Sequence, residues 1–123
     1  MYEDILVPTD GLEGMARVTE HALEIAAGRE ATIHALYVGD ETAYQSVPED
    51  SRDRVRDVLQ EDGESATKAV AERALVAGFD TEREIRWGDP AAAIIGYAVE
   101  NEVELIVMGT RGKTGFERYM LGS

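Results

Sequence analysis

Residues 104–112 read Glu104-Leu105-Ile106-Val107-Met108-Gly109-Thr110-Arg111-Gly112. The apolar run is too short for a helix and shows no polar alternation, so it predicts a strand covered on both faces. Such a strand belongs in a parallel sheet with helices above and below it. Just upstream, Gly88-Asp89-Pro90 predicts a helix start, with Asp89 as N-cap and Pro90 at the first helical position. That helix is expected to run to about Glu102, with Ala92, Ile95, Ala98 and Val99 facing inward. Residues 81–87 alternate charged and less charged side chains, as a half-exposed edge strand does. Before them, a long helix is predicted from about Glu49 to Ala77, with Val55, Val58, Leu59, Ala66, Ala69, Val70 and Leu75 as its buried stripe. Gly63 is a weak point in its middle. Residues 32–38 read as a second strand, Leu12–Ala27 as an amphipathic helix stopped by Gly28, and residues 4–9 as a first strand ending at Pro8.

The order β-α-β-α-β-α-β predicts right-handed crossovers and a three-layer α/β/α domain around a parallel sheet. Ligands of such sheets sit beyond the carboxyl ends of the strands, where the strand order reverses. The segments expected there are Pro8-Thr9-Asp10, Val38-Gly39-Asp40, Trp87-Gly88-Asp89 and Met108-Gly109-Thr110.

Composition narrows the function. The 123 residues suit one domain and show no linker or repeat. Acidic residues number 25 against 12 basic ones, a formal charge of −13. That balance argues against a nucleic-acid partner and against docking on an anionic membrane. Without cysteine there is no disulfide framework, thiolate metal site or cysteine nucleophile. No apolar run approaches a membrane span, and the N-terminus lacks the pattern of a signal peptide, so a soluble cytoplasmic protein is expected. Only Lys68 and Lys113 are lysines; acid excess with so few lysines suits a salt-adapted cytoplasm.

From Gly109 the chain is rich in glycine, with Gly112, Gly115 and Gly122 following. Glycines let successive backbone N–H groups gather into anion-binding concavities. Arg111, Lys113 and Arg118 lie among them, a local reversal of charge that suits a polyanionic phosphate. The trio Gly112-Lys113-Thr114 is not the end of a Walker loop, whose spacing needs glycine where Val107 stands. The dinucleotide fingerprint is missing too, since the first strand–helix turn offers only Gly11 and Gly14.

The spacing that matches is Gly-x-x-Gly, nine residues, then Gly-Ser: Gly109, Gly112, Gly122, Ser123. Together with Ile5-Leu6-Val7-Pro8-Thr9-Asp10 and Ile106-Val107-Met108-Gly109, it resembles the universal stress protein family in its ATP-binding branch. The resemblance covers the whole chain and implies a Rossmann-like adenine-nucleotide-binding domain, a homodimer, and a regulatory role in the stress response. It implies ATP as ligand, with Mg2+ or Mn2+ on the phosphates; nothing in the sequence singles out the metal ligands. Carried over by position, Pro8, Thr9 and Asp10 lie beside the nucleoside and Val38 contacts the adenine. Met108 and Gly109 line the floor, and Arg111, Gly112, Gly122 and Ser123 hold ribose and phosphates. The resemblance also places a further helix and a fifth strand after the Gly-Ser, which residues 1–123 do not contain, so the domain is read as C-terminally incomplete.

Other candidates read as structural. His21 stands between Glu20 and Glu24 on a helix flank, as a solvated histidine does, and His34 sits in a strand where packing or hydrogen bonding is expected. Neither has a partner at metal-ligand spacing. Asp10 doubles as a turn or capping aspartate, and Trp87 is expected to pack. No serine-histidine-acid or paired-carboxylate arrangement is visible, so no catalytic residue is assigned. Two alternatives stay open: a nucleotide-dependent enzyme acting by slow ATP hydrolysis or adenylyl transfer, and an interaction protein that binds no nucleotide.

Overall fold

A computed structural model describes residues 3–41, 45–109 and 117–121, the last of these as backbone. In chain order the elements are β1 (Asp4–Pro8), α1 (Met15–Ala26), β2 (Thr32–Asp40), a 3-10 turn (Glu49–Ser51), α2 (Arg52–Val76), β3 (Asp80–Gly88), α3 (Pro90–Glu100), β4 (Leu105–Gly109) and β5 (Glu117–Leu121). The strands lie in one sheet in the order β3-β2-β1-β4-β5. β1 pairs in parallel with β2 and with β4, and β2 in parallel with β3.

From β1 the chain steps outward twice, to β2 and then β3, and crosses back over β1 to reach β4. Right-handed crossovers then put α1 and α2 on one face and α3 on the other. Strand side chains alternate between these layers. Ile5, Val7, Ile33, Ala35, Leu105 and Val107 meet Val18, Ala22, Ala26, Val70 and Ala74 on the first face. Leu6, Leu36 and Ile106 meet Tyr97 and Val103 on the second. The three-layer α/β/α architecture is the expected one.

Three details differ from the sequence reading. The buried face of α2 is Gly63, Ala66, Thr67, Val70, Ala71 and Ala74, whereas Val58 and Leu75 are exposed. Gly63 is what lets that helix lie close to the sheet: a Cβ there would stand 2.6 Å from Cδ2 of Tyr37. On α3, Tyr97 is the buried residue, and the expected inward pair Ile95 and Val99 points outward at 61% and 71% exposure. Ala98 packs inward as expected; Ile95 and Val99 do not, because the helix sequence is apolar all round and no polar face marks its rotation. Finally, Glu117–Leu121, read as glycine-rich loop, pairs antiparallel with β4. It is not the strand that the resemblance places after Gly122-Ser123. Only seven residues separate β4 from β5; so short a link cannot make a parallel crossover, and an antiparallel return along the open edge of β4 is what it permits.

Candidate nucleotide cleft

The reversal of strand order falls at β1, and β1 is short. Pro8 lies opposite Leu36, so β2 runs on past the end of β1 as far as Asp40. The result is a notch in the carboxyl edge of the sheet above β1, where a doubly wound sheet takes its ligand. A cleft of ≈ 370 Å³ occupies it. Pro8, Thr9 and Asp10 form one side of its lining, Leu36, Tyr37, Val38 and Asp40 another, and Met108 and Gly109 a third. Leu12 reaches it from the β1–α1 loop, Met15 from the start of α1, Leu59 from α2, and Pro90 and Ile94 from the first turns of α3.

The backbone around the notch follows from its sequence. Thr9 donates its N–H to the carbonyl of Leu36 (2.8 Å), the last rung between the two strands. In a parallel ladder a residue's N–H and C=O point to the same neighbour, and alternate residues alternate sides. The Leu36 carbonyl faces β1, so the N–H and C=O of Val38 face the same way, into the notch. The Thr9 hydroxyl accepts from the Gly11 N–H (3.0 Å), and Asp10 Oδ1 accepts from the Leu12 N–H (2.9 Å). Asp10 is thus a turn aspartate. The first turn of α1 begins at Met15 behind Gly14 as N-cap. Across the cleft, Asp89 caps α3 as expected, its Oδ2 accepting from the Ala92 N–H (2.9 Å). Burial, then the nearby Asp62 and Asp10 carboxylates, push the Tyr37 hydroxyl above its ordinary range, so it stays protonated.

Pro8, Thr9, Asp10, Val38, Met108 and Gly109, the nucleoside-side residues expected from the sequence, all line this cleft. Arg111, Gly112, Gly122 and Ser123 lie outside the described residues. Sequence reasoning missed Leu12, Met15, Leu36, Tyr37, Leu59, Pro90 and Ile94 as cleft residues. Only the strand ends carry a positional rule; helix side chains reach the notch through tertiary packing.

The histidines do not line the cleft. His34 is buried on the α3 face, with Nε2 2.8 Å from Asp4 Oδ1 and Nδ1 2.7 Å from the Tyr97 hydroxyl. The carboxylate can only accept, so Nε2–H donates to it, and Nδ1 shares the second hydrogen bond with the Tyr97 hydroxyl. This chain ties β1, β2 and α3 together near the amino ends of the strands, away from the notch. Burial pushes the Tyr97 hydroxyl up to about 12. The guanidinium of Arg86, whose carbon lies 5.0 Å from the Tyr97 ring centroid, pairs with Glu84 and with Glu100 (2.7 Å). His21 pairs with Glu24 on α1 (3.8 Å). Trp87 packs as expected, against Gly39 and under Arg56, whose guanidinium carbon stands 4.2 Å from the ring centroid. Among the described residues no group of three or more His, Cys, Asp or Glu could hold a metal ion. Nor is any helix among them long and apolar enough to cross a membrane.

Comparison with known proteins agrees with this geometry. Residues 1–123 match the pattern of the "Universal stress protein family". Universal stress protein MJ0531 of Methanocaldococcus jannaschii is 38% identical over 124 residues, covering 100% of this chain and 73% of that protein. The solved structure of MJ0577, from the same organism, superposes with a TM-score of 0.82 at 26% identity, over 93% of this chain and 78% of that one. A universal stress protein family member from Arabidopsis thaliana, solved with AMP bound, shares the fold at a TM-score of 0.68 and 21% identity, over 90% of this chain and 78% of that one.

Proposed function

The chain belongs to the universal stress protein family, and on that premise we propose that it is a regulatory module that binds an adenine nucleotide, with ATP as its ligand. The observation that carries the reading is the notch over β1. By strand alternation the Val38 N–H and C=O face it, a main-chain donor beside a main-chain acceptor, with Leu12, Met15, Leu36, Ile94 and Met108 also in the lining. Adenine presents an acceptor beside a donor on its pairing edge, which such a pair complements; guanine presents the reverse order. A cleft of ≈ 370 Å³ falls within the ~300–1,000 Å³ of small-molecule sites and suits the nucleoside half of the ligand. The phosphates are assigned, on the resemblance, to Arg111, Gly112, Gly122 and Ser123, among which Arg111 carries the positive charge. Asp10 and Asp40 are the cleft's carboxylates, too few for a protein cage. Mg2+ or Mn2+ would therefore ride on the phosphates with water completing its shell.

Binding is favoured over turnover because, among the described residues, neither histidine lines the cleft, and Asp10 is engaged in its own turn with the Leu12 N–H. The same reading includes a cytoplasmic homodimer, checked by light scattering of the purified protein and by fractionation of its host. The direct experiment is calorimetric titration with ATP, AMP and GTP, alongside chromatography of small molecules released on denaturation. Adenine nucleotides are expected to bind and GTP to bind at least about tenfold more weakly, the value of one reversed donor–acceptor pair. Equal heats for ATP and GTP, or none for either, would refute the assignment.

A further inference from the structure

We propose that Leu12 is a ligand-covering residue: an apolar lip on the β1–α1 loop that folds over the nucleoside half of the bound nucleotide and slows its release. The inference rests on the reading of the cleft given above and concerns how that site holds its ligand.

Leu12 is 64% exposed and belongs to neither core cluster, so folding does not require its side chain. A single exposed leucine carries no meaning by itself. Its place does. It lines the nucleotide cleft, and it also lines a second cavity of ≈ 450 Å³ between α1 and α2. The side chain therefore sits on the ridge dividing the two, beside Asp10.

The backbone on either side holds the base of that ridge and leaves the Leu12 side chain exposed. Gly11 and Gly14 both have positive φ, at 77° and 97°, where other residues are strained. At Gly11 the loop is pinned: a Cβ there would stand 3.1 Å from Cβ of Ala66 on α2. At its other end the loop is held by the Gly14 carbonyl, which accepts from the Arg17 and Val18 N–H groups (3.1 Å each) as the N-cap of α1. Between them, the Leu12 N–H is held by Asp10 Oδ1 (2.9 Å), and its carbonyl receives a longer bond from the Met15 N–H (3.3 Å). The firm bond is on the cleft side and the loose one on the helix side. Rotation of the exposed Leu12 side chain about its own χ angles carries it inward without breaking the Asp10 turn. Once there, the leucine loses most of its exposed surface against the ligand. Its contribution appears only in the complex.

Mant-ATP binding to the full chain tests this by stopped flow and calorimetry. Leu12→Ala is expected to raise Kd about five- to tenfold, the share of a leucine's burial that the truncation removes. The change should appear as faster dissociation with the association rate nearly unchanged. Leu12→Met, which keeps apolar length, should stay within about twofold of the wild type. The unliganded melting temperature should not move in either variant. An unchanged Kd and dissociation rate in Leu12→Ala overturns the proposal and leaves the cleft assignment standing. So does an affinity loss matched by a lower unliganded melting temperature, which marks a structural role. Absence of mant-ATP binding by the wild type overturns both.

Discussion

Two side chains show how a single position is decided by its neighbours. Gly63 sits inside a 25-residue helix, where alanine is worth about 1 kcal/mol more than glycine. Propensity alone recommends Gly63→Ala. The added methyl, however, would meet Cδ2 of Tyr37 at 2.6 Å and Cδ1 of Ile85 at 3.1 Å. Overpacking of that kind costs about 1–3 kcal/mol, so the variant is expected to be neutral to about 2 kcal/mol less stable, measured by urea unfolding. A clear gain in stability would show that α2 can lift off the sheet. Tyr97 decides a different question. Its phenol is pushed up to about 12 by burial, against about 10 in the unfolded chain. Its stabilisation is fully present below pH 10 and declines as pH rises toward 12, because the unfolded state gives up the proton first. The loss is about 3 kcal/mol across that window. Tyr97→Phe is expected to be less stable than wild type at pH 8, since it leaves His34 Nδ1 without its partner, and to lose this alkaline slope. Unfolding midpoints at pH 8, 10 and 11.5 in both proteins check the sign.

At the level of helices and strands, caps and strand ends were legible and helix rotation was not. Asp89-Pro90 announced α3 and its cap because N-cap geometry is local, set by one side chain and the N–H groups just after it. The ends of β1, β2 and β4 could be placed because strand length and the carboxyl-edge rule need only the apolar runs. The six residues that the rule and the resemblance together single out, Pro8, Thr9, Asp10, Val38, Met108 and Gly109, line one cleft. By contrast, the face of α3 could not be read: Ala92, Ile94, Ile95, Ala98 and Val99 are all apolar, and only the sheet beneath decides that Ile94 and Tyr97 turn inward. β5 escaped for a related reason, since Glu117–Leu121 acquires its partner only once β4 presents an open edge. The cap has a functional side. Pro90 and Ile94 belong to the cleft wall, and Asp89 fixes the turn that carries them. Asp89→Ala is expected to cost about 1 kcal/mol of stability. It should also weaken ATP binding by a few-fold through a frayed wall, whereas Asp89→Asn, which caps equally well, should do neither. Paired melting curves and titrations of the two variants separate capping from charge.

The molecule as a whole carries a charge of −13 on 123 residues. Repulsion among those carboxylates opposes the compact state, and salt relieves it as the screening length falls from ~10 Å at 0.1 M to ~3 Å at 1 M. Salt also weakens ion pairs, and the two effects run in opposite directions. The pairs Arg73–Glu20 at 2.9 Å, Lys68–Glu72 at 4.0 Å and Arg86–Glu100 at 2.7 Å each join at least one well-exposed side chain. Such pairs are worth about 0–1 kcal/mol apiece. With 25 acidic residues against 12 basic ones, an excess of carboxylates remains however the basic side chains pair, so relief of repulsion wins. The melting temperature is expected to rise by about 5 °C or more between 0.05 and 1 M NaCl, the response to roughly 1 kcal/mol or more in a domain of this size. The shape of the rise discriminates further. Pure screening is nearly complete by ~0.5 M, where the Debye length is already shorter than the spacing of most surface charges. A plateau there identifies ordinary self-repulsion. A continued climb toward several molar, steeper in KCl than in an isoionic guanidinium-free control with a larger cation, would identify hydration by an acidic surface suited to a saline cytoplasm. A flat or falling curve from the outset would mean that the exposed ion pairs outweigh the excess charge, and the electrostatic argument would have its sign reversed.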